Sequence, residues 1–306
     1  MKKLLTILLI LSTGTLYAQQ DPLFSQYMFN KLAVNPGYAG SHEALSAVIL
    51  NRWQWSGIEG APKTLSASVH SPLRNPHLGL GLTVYRDDLG PTVYQGALAS
   101  FAYRILFPKG KLSFGLQAGV KHADIDWNDP ELDPNTDGDP LLIGQEKQKA
   151  VPDANFGVYY YSDNFYIGVS SKQLLQNQYA VVEVDGKSEF SKLIRHFYGI
   201  AGVAFPISDN LVFRPSMLVK YVQNAPPQLD LNLSFLIGKS FWLGASYRTE
   251  KAVSLLTEIR ITPSLTLGYS YDIWLNELKS YNTGSHELRI GFDLNKQNRM
   301  LTPRYF

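Results

Sequence analysis

Short runs in which apolar and polar residues alternate recur from residue 44 to residue 294, without any long stretch of helical period beside them. In His77 to Tyr85, Leu78, Leu80, Leu82 and Val84 fall on one side, with Gly79, Gly81, Thr83 and Tyr85 on the other. That is the pattern of a strand whose successive side chains point to opposite faces. Lys63 to Ser71 sets Leu65, Ala67 and Val69 against Thr64, Ser66, Ser68 and His70. Leu229, Leu231, Leu233 and Phe235 alternate with Asp230, Asn232 and Ser234, and Leu288, Ile290, Phe292 and Leu294 with Arg289, Gly291 and Asp293. The spacing predicts about fourteen strands, near 44–55, 63–71, 77–86, 94–105, 111–124, 152–161, 164–171, 196–206, 210–222, 228–237, 241–248, 252–261, 265–273 and 285–294.

The connections sort into two classes. Those at 71–76, 107–110, 162–163, 206–209, 238–240 and 262–264 are short. Those at 56–62, 87–93, 125–151, 172–195, 223–227 and 274–284 are mostly longer, and 249–251 is a short exception among them. The chain opens with Met1-Lys2-Lys3 and an apolar Leu4–Leu11 core, ending at Leu16-Tyr17-Ala18. This reads as a secretory leader over residues 1–18, with the mature chain starting at Gln19; its core is too short for a membrane anchor. A secreted chain of alternating strands, with tight turns at one end and larger loops at the other, predicts an all-β, transmembrane outer-membrane β-barrel of about 14 antiparallel strands. An even strand number returns both barrel termini to the periplasm. A soluble β-sandwich shares the half-apolar strands. Against it stand the leader and the aromatics Trp53, Trp55, Tyr85, Tyr94, Tyr103, Tyr221, Trp242 and Trp274 beside strand ends, read together as interface belts.

Composition narrows the function. Without Lys2 and Lys3 the 28 basic residues fall to 26 and match the 26 acidic ones, so no charge excess marks a nucleic-acid binder. The absence of cysteine excludes disulfide, thiolate and cysteine–metal chemistry. The six histidines form no ligand-spaced cluster and no G-x-S-x-G elbow occurs, so no enzyme is expected.

Gln20-Asp21-Pro22-Leu23-Phe24-Ser25-Gln26-Tyr27-Met28-Phe29-Asn30, leading into Asn35-Pro36-Gly37-Tyr38-Ala39-Gly40, closely resembles the opening of the PorP/SprF family of Bacteroidetes outer-membrane proteins. Asn51-Arg52-Trp53-Gln54-Trp55 with Gly60-Ala61-Pro62, and the tail Leu301 to Phe306, are similar to later blocks of that family. The resemblance spans the mature chain. It implies a non-enzymatic component of type IX secretion or its gliding-motility branch. Such proteins assist export or surface attachment of large adhesin-like cargo carrying a C-terminal signal, with secretion components and outer-membrane lipid as further partners. The alternative from another class is a solute-conducting porin.

Residues 19–43 precede the first strand and are expected to form a lumen plug, a periplasmic docking surface, or both. Asp21, Pro22, Phe24, Gln26, Tyr27, Met28, Phe29, Asn35, Pro36 and Tyr38 are its candidate partner-binding residues. Asp133-Pro134-Asn135-Thr136-Asp137-Gly138 opens like a calcium loop, with Asp133, Asn135, Asp137 and Asp139 as possible ligands. Its twelfth position is Gly144 and carries no carboxylate, so a solvated acidic loop or partner contact is the competing reading. No other cofactor is expected. Arg52, Arg86, Arg104, Lys121, Arg214, Lys220, Arg248, Arg260 and Arg289 recur within or at the edges of strands and are expected to enter the lumen or to reach headgroups by snorkelling. With Asp153, Asp230, Glu258 and Glu287 they predict a salt-bridged interior. Phe306 is read as an insertion signal at the end of a periplasmic tail, 295–306.

Overall fold

The computed structural model describes Pro22 and residues 24–42, 44–125, 150–184 and 187–294. In chain order its strands are β1 (Leu45–Trp53), β2 (Lys63–Pro72), β3 (Leu78–Leu89), β4 (Thr92–Phe107), β5 (Gly110–Ile125), β6 (Val151–Tyr161) and β7 (Phe165–Lys172). Then follow β8 (Gln178–Val184), β9 (Lys187–Lys192), β10 (His196–Val203), β11 (Phe205–Ser208), β12 (Leu211–Val222) and β13 (Gln228–Ile237). The last four are β14 (Phe241–Arg248), β15 (Ala252–Arg260), β16 (Leu265–Trp274) and β17 (Ser285–Leu294).

Fourteen of them close into an antiparallel ring: β1 to β7, then β10, then β12 to β17. The seam pairs β17 with β1, from Leu45↔Leu294 to Trp53↔His286. β11 continues β10 past Ala204 and pairs with the start of β12. β8 and β9 form a separate hairpin between β7 and β10. Closure gives the backbone N–H and C=O groups of the wall partners within the ring, which a bilayer demands because it offers no water to replace them.

Burial runs opposite to that of a soluble protein. Leu116, Val169, Leu233 and Leu255 point outward and are more than half exposed. Ser66, Asn232, Ser254 and Ser270 point inward and are nearly inaccessible. A sandwich would hide the leucines and expose the serines. This wall therefore has an apolar exterior and a polar lumen, as the strand periodicity predicts.

Leu45, Leu294 and the short turns after β2, β4, β6, β14's predecessor β13 and β15 share one end of the ring. The long connections 125–151, 172–196 and 274–285 share the other. The expected link at 87–93 is shorter than its sequence suggests. β3 pairs with β4 as far as Leu89↔Thr92, leaving Gly90-Pro91 as the turn, with Gly90 at φ +52. Positive φ at such a two-residue turn matches the twist of the strands it joins. Outward aromatics gather at both ends: Trp53, Phe197, Tyr221 and Tyr247 near the long loops, and Phe107, Phe165, Phe205 and Phe241 near the short turns. Four residues read as belt members turn inward instead. Tyr85 lines the lumen beside Thr83, and Tyr94 packs against Ala123, Val151 and Leu193. Trp242 packs beneath the Arg214 guanidinium, and Trp274 donates to Ser285 Oγ at 2.9 Å.

Candidate functional site

Residues 24–42 occupy the lumen. Their own sequence favours tight turns over helix or strand: Asn30 and Asn35 interrupt any regular run, and Pro36 presets the third turn. Three 3-10 turns result, Tyr27–Phe29, Lys31–Ala33 and Pro36–Tyr38. Asn35 caps the third, its Oδ1 accepting the Gly37 N–H at 2.8 Å. Local bonds such as Asn30 N–H to Tyr27 O and Ala39 N–H to Pro36 O satisfy much of the buried backbone.

The barrel wall supplies the remaining partners from all around the ring. The Glu287 carboxylate of β17 accepts the Ser25 and Gln26 N–H groups, each at 2.8 Å. Ser25 Oγ donates to Asp272 of β16 at 2.8 Å and accepts from Arg52 of β1 at 3.0 Å. Arg52 also spans Asp272 and Glu287 at 2.7 and 3.1 Å, and all three side chains are inaccessible to within 1 %. Ser68 of β2 donates to Asn30 Oδ1 at 2.8 Å. Asn35 Nδ2 donates to the carbonyls of Val158 and Val169, on β6 and β7, while Ser170 Oγ donates to Val34 O at 2.7 Å. His70 Nδ1 accepts the Gly40 N–H at 3.1 Å, and Arg104 donates to the Gly40 carbonyl.

Cations and rings complete the packing. Arg214 and Arg289 stand over the Phe29 ring at 4.9 and 4.8 Å from its centroid. Lys31, itself buried, lies over Tyr38 and Tyr166 at 5.2 and 4.8 Å. Desolvation strengthens such contacts. Glycines on the lumen face let the segment approach the wall. A Cβ on Gly115 would stand 2.2 Å from Gly37 N, and one on Gly79 would stand 2.3 Å from the Ala39 carbonyl.

The thread has a direction. Ser25 meets Arg52 and Glu287, which pair next to the last rung at the long-loop end. Gly40 meets Ser71, Pro72 and Gly79 at the short-turn end. The chain thus descends the lumen, reverses, and climbs back as β1.

A family model described as type IX secretion system membrane protein PorP/SprF matches residues 16–292. The chain belongs to the PorP/SprF family. Membership makes it an outer-membrane β-barrel of the type IX secretion system, associated with that system's components. In architecture this PorP/SprF protein is similar to the CymD monoaromatic hydrocarbon channel, with a TM-score of 0.53 and 12% identity over 94% of this chain and 97% of that one. The Pseudomonas putida toluene transporter TodX aligns with a TM-score of 0.45 and 10% identity, over 85% of this chain and 91% of that one. At such identities the likeness concerns the fold alone. No curated protein matches the sequence.

The two sequence blocks that carry the PorP/SprF resemblance touch each other, because Arg52 of the second holds Ser25 of the first. Among the predicted partner-binding residues, Gln26, Tyr27, Met28, Asn35, Pro36 and Tyr38 are buried in the lumen. Phe29 is half-buried, and Pro22 and Phe24 line a chamber at the long-loop end. Asp21, the leader 1–18, the calcium-loop residues Asp133, Asn135, Asp137 and Asp139, and the tail 295–306 with Phe306 lie outside the described residues.

The expected charged interior is present: Lys121 pairs with Asp153, Arg248 with Asp230, Arg289 with Glu258 and Arg52 with Glu287. Asp272 joins it without having been singled out in the sequence, although it shares the inward parity of Ser270 in β16. Arg86 departs from it, pairing with Asp88 on the exposed outer face. Ser46, His42 and Asp293 meet at the short-turn end, but both contacts go to the same His42 nitrogen, Nδ1. A hydrolase relay needs one imidazole nitrogen for the base and the other for the carboxylate.

Proposed function

We propose that this protein is a non-enzymatic scaffold that assists export or surface attachment of large adhesin-like cargo bearing a C-terminal signal, acting through protein–protein contacts. The observation that carries this reading is the occupied lumen: residues 24–42 bond to strands on every side of the ring, where a conducting pore needs a continuous water path. The short-turn end, with both termini of the wall, faces the periplasm, and the long loops face the cell exterior. Cargo and secretion components meet the protein at these two mouths.

Pull-down from detergent-solubilised outer membrane tests the proposal; the expected result is recovery of a large secreted protein and periplasmic secretion components. Deleting Asp21 to Tyr38 is expected to abolish export while heat-modifiable barrel persists in the outer membrane. Ion conductance by the intact protein in planar bilayers, with no cargo recovered, would replace the scaffold by the porin.

A further inference from the structure

At the long-loop end of the lumen a chamber of about 60 Å³ remains between the plug and the wall. By the measure in which one water needs roughly 10–15 Å³, it has room for a few waters or one small polar group. Phe24 and Tyr27 of the plug form part of its lining, and Lys121, Lys172 and Lys220 reach it from β5, β7 and β12. The three lysines converge on the chamber from the long-loop half of the wall. Lys121↔Val151, Lys172↔His196 and Lys220↔Gln228 are each the last rung of their ladders at the long-loop end.

Each lysine also has contacts within the chain, Lys121 with Asp153 at 3.0 Å and Lys172 over the Tyr198 ring at 5.2 Å. An incoming anion would share these cations with them. A second observation points the same way. Thr83, only 5% exposed, lines the chamber, and its hydroxyl has no hydrogen-bond partner among the described residues. A buried donor in that state favours a ligand with acceptor oxygens.

We propose that this chamber receives a carboxylate side chain from an acidic segment of a partner polypeptide, inserted through the long-loop mouth. Three ammonium groups and one hydroxyl donor in a shielded enclosure select negative charge. The rings of Phe24, Tyr27 and Tyr198 beside them favour a side chain with a carbon stem over a small hydrated anion. This deepens the scaffold reading and rests on it for the polypeptide nature of the ligand.

The test titrates the purified full-length protein in detergent micelles with hexaglutamate, hexalysine and inorganic phosphate. Hexaglutamate is expected to bind, more weakly as salt is raised, and hexalysine to give no signal. Lys172→Gln and Lys220→Gln should each weaken hexaglutamate about ten-fold, as loss of a charge-assisted contact does. Thr83→Val, which keeps the volume and removes the hydroxyl, should weaken it several-fold with heat-modifiable migration unchanged. No hexaglutamate binding, or equal binding by the wild type and all three variants, overturns the proposal. Phosphate binding as tight as that of hexaglutamate overturns its polypeptide form. Cargo export by cells carrying Lys220→Gln is scored separately: glutamate binding lost with export intact overturns the secretion role of the chamber and leaves its anion chemistry standing.

Discussion

Asn232 and Leu233 are neighbours in β13, yet opposite rules govern them. Leu233 faces outward and is 54% exposed, whereas Asn232 faces the lumen, is 1% exposed and donates to Ser246 Oγ at 2.8 Å. Outside, the surrounding lipid accepts any apolar side chain of moderate size. Inside, each polar group needs a particular partner, often one carried by a strand far away in sequence. The outer face is specified by class of residue, the inner face by identity.

Substitutions on the two faces sharpen this contrast. The largest effect is expected from Arg52→Ala, which leaves the Asp272 and Glu287 carboxylates buried without their shared cation. Breaking such a buried pair costs about 3–5 kcal/mol, read as a lowered urea midpoint for unfolding from lipid vesicles. Leu233→Arg places a charge on the lipid face at the middle of β13, with an expected loss of about 2–4 kcal/mol in the same assay; a neutral result would break the contrast from the outer side. Asn35→Ala removes the donor to two wall carbonyls and the cap on Gly37. About 1–3 kcal/mol is expected, together with faster proteolysis within residues 24–42. Leu233→Ile should change stability by less than about 1.5 kcal/mol, and a larger loss would show that the outer face is also specified residue by residue.

The outer face was legible in the sequence because a two-residue period needs no knowledge of partners. Strand positions in the wall and the inward parity of most charges follow from it. The closed ring also needed the expected leader and the end aromatics to set it apart from a sandwich, and the β8–β9 hairpin lies inside the expected link 172–195. Trp242 and Trp274 show where a compositional cue misled. Both lie on the parity of Ser246 and Asp272 in their strands, and that parity places them inside, whatever the usual habit of tryptophan near strand ends. The lumen plug left a fainter trace. Gly79, Gly115 and Gly157 occupy inward positions where another segment presses against the wall, with its backbone at the first two and the Asn35 side chain at the third, but a glycine in a strand does not say which segment approaches. The joining of Ser25, Arg52, Asp272 and Glu287 was beyond sequence reasoning. Those residues lie far apart in the chain, and only the ring's register brings them together.

Glu287 belongs to β17, the strand that completes the circle by pairing with β1, and its carboxylate also fixes the start of the lumen segment. A ring zipped shut around empty space would hold that acid, Arg52 and Asp272 without the Ser25 and Gln26 groups they grip. Sealing and filling thus favour one another. During biogenesis the segment that begins at Ser25 is expected to reinforce the closure of β17 on β1 without being required for it.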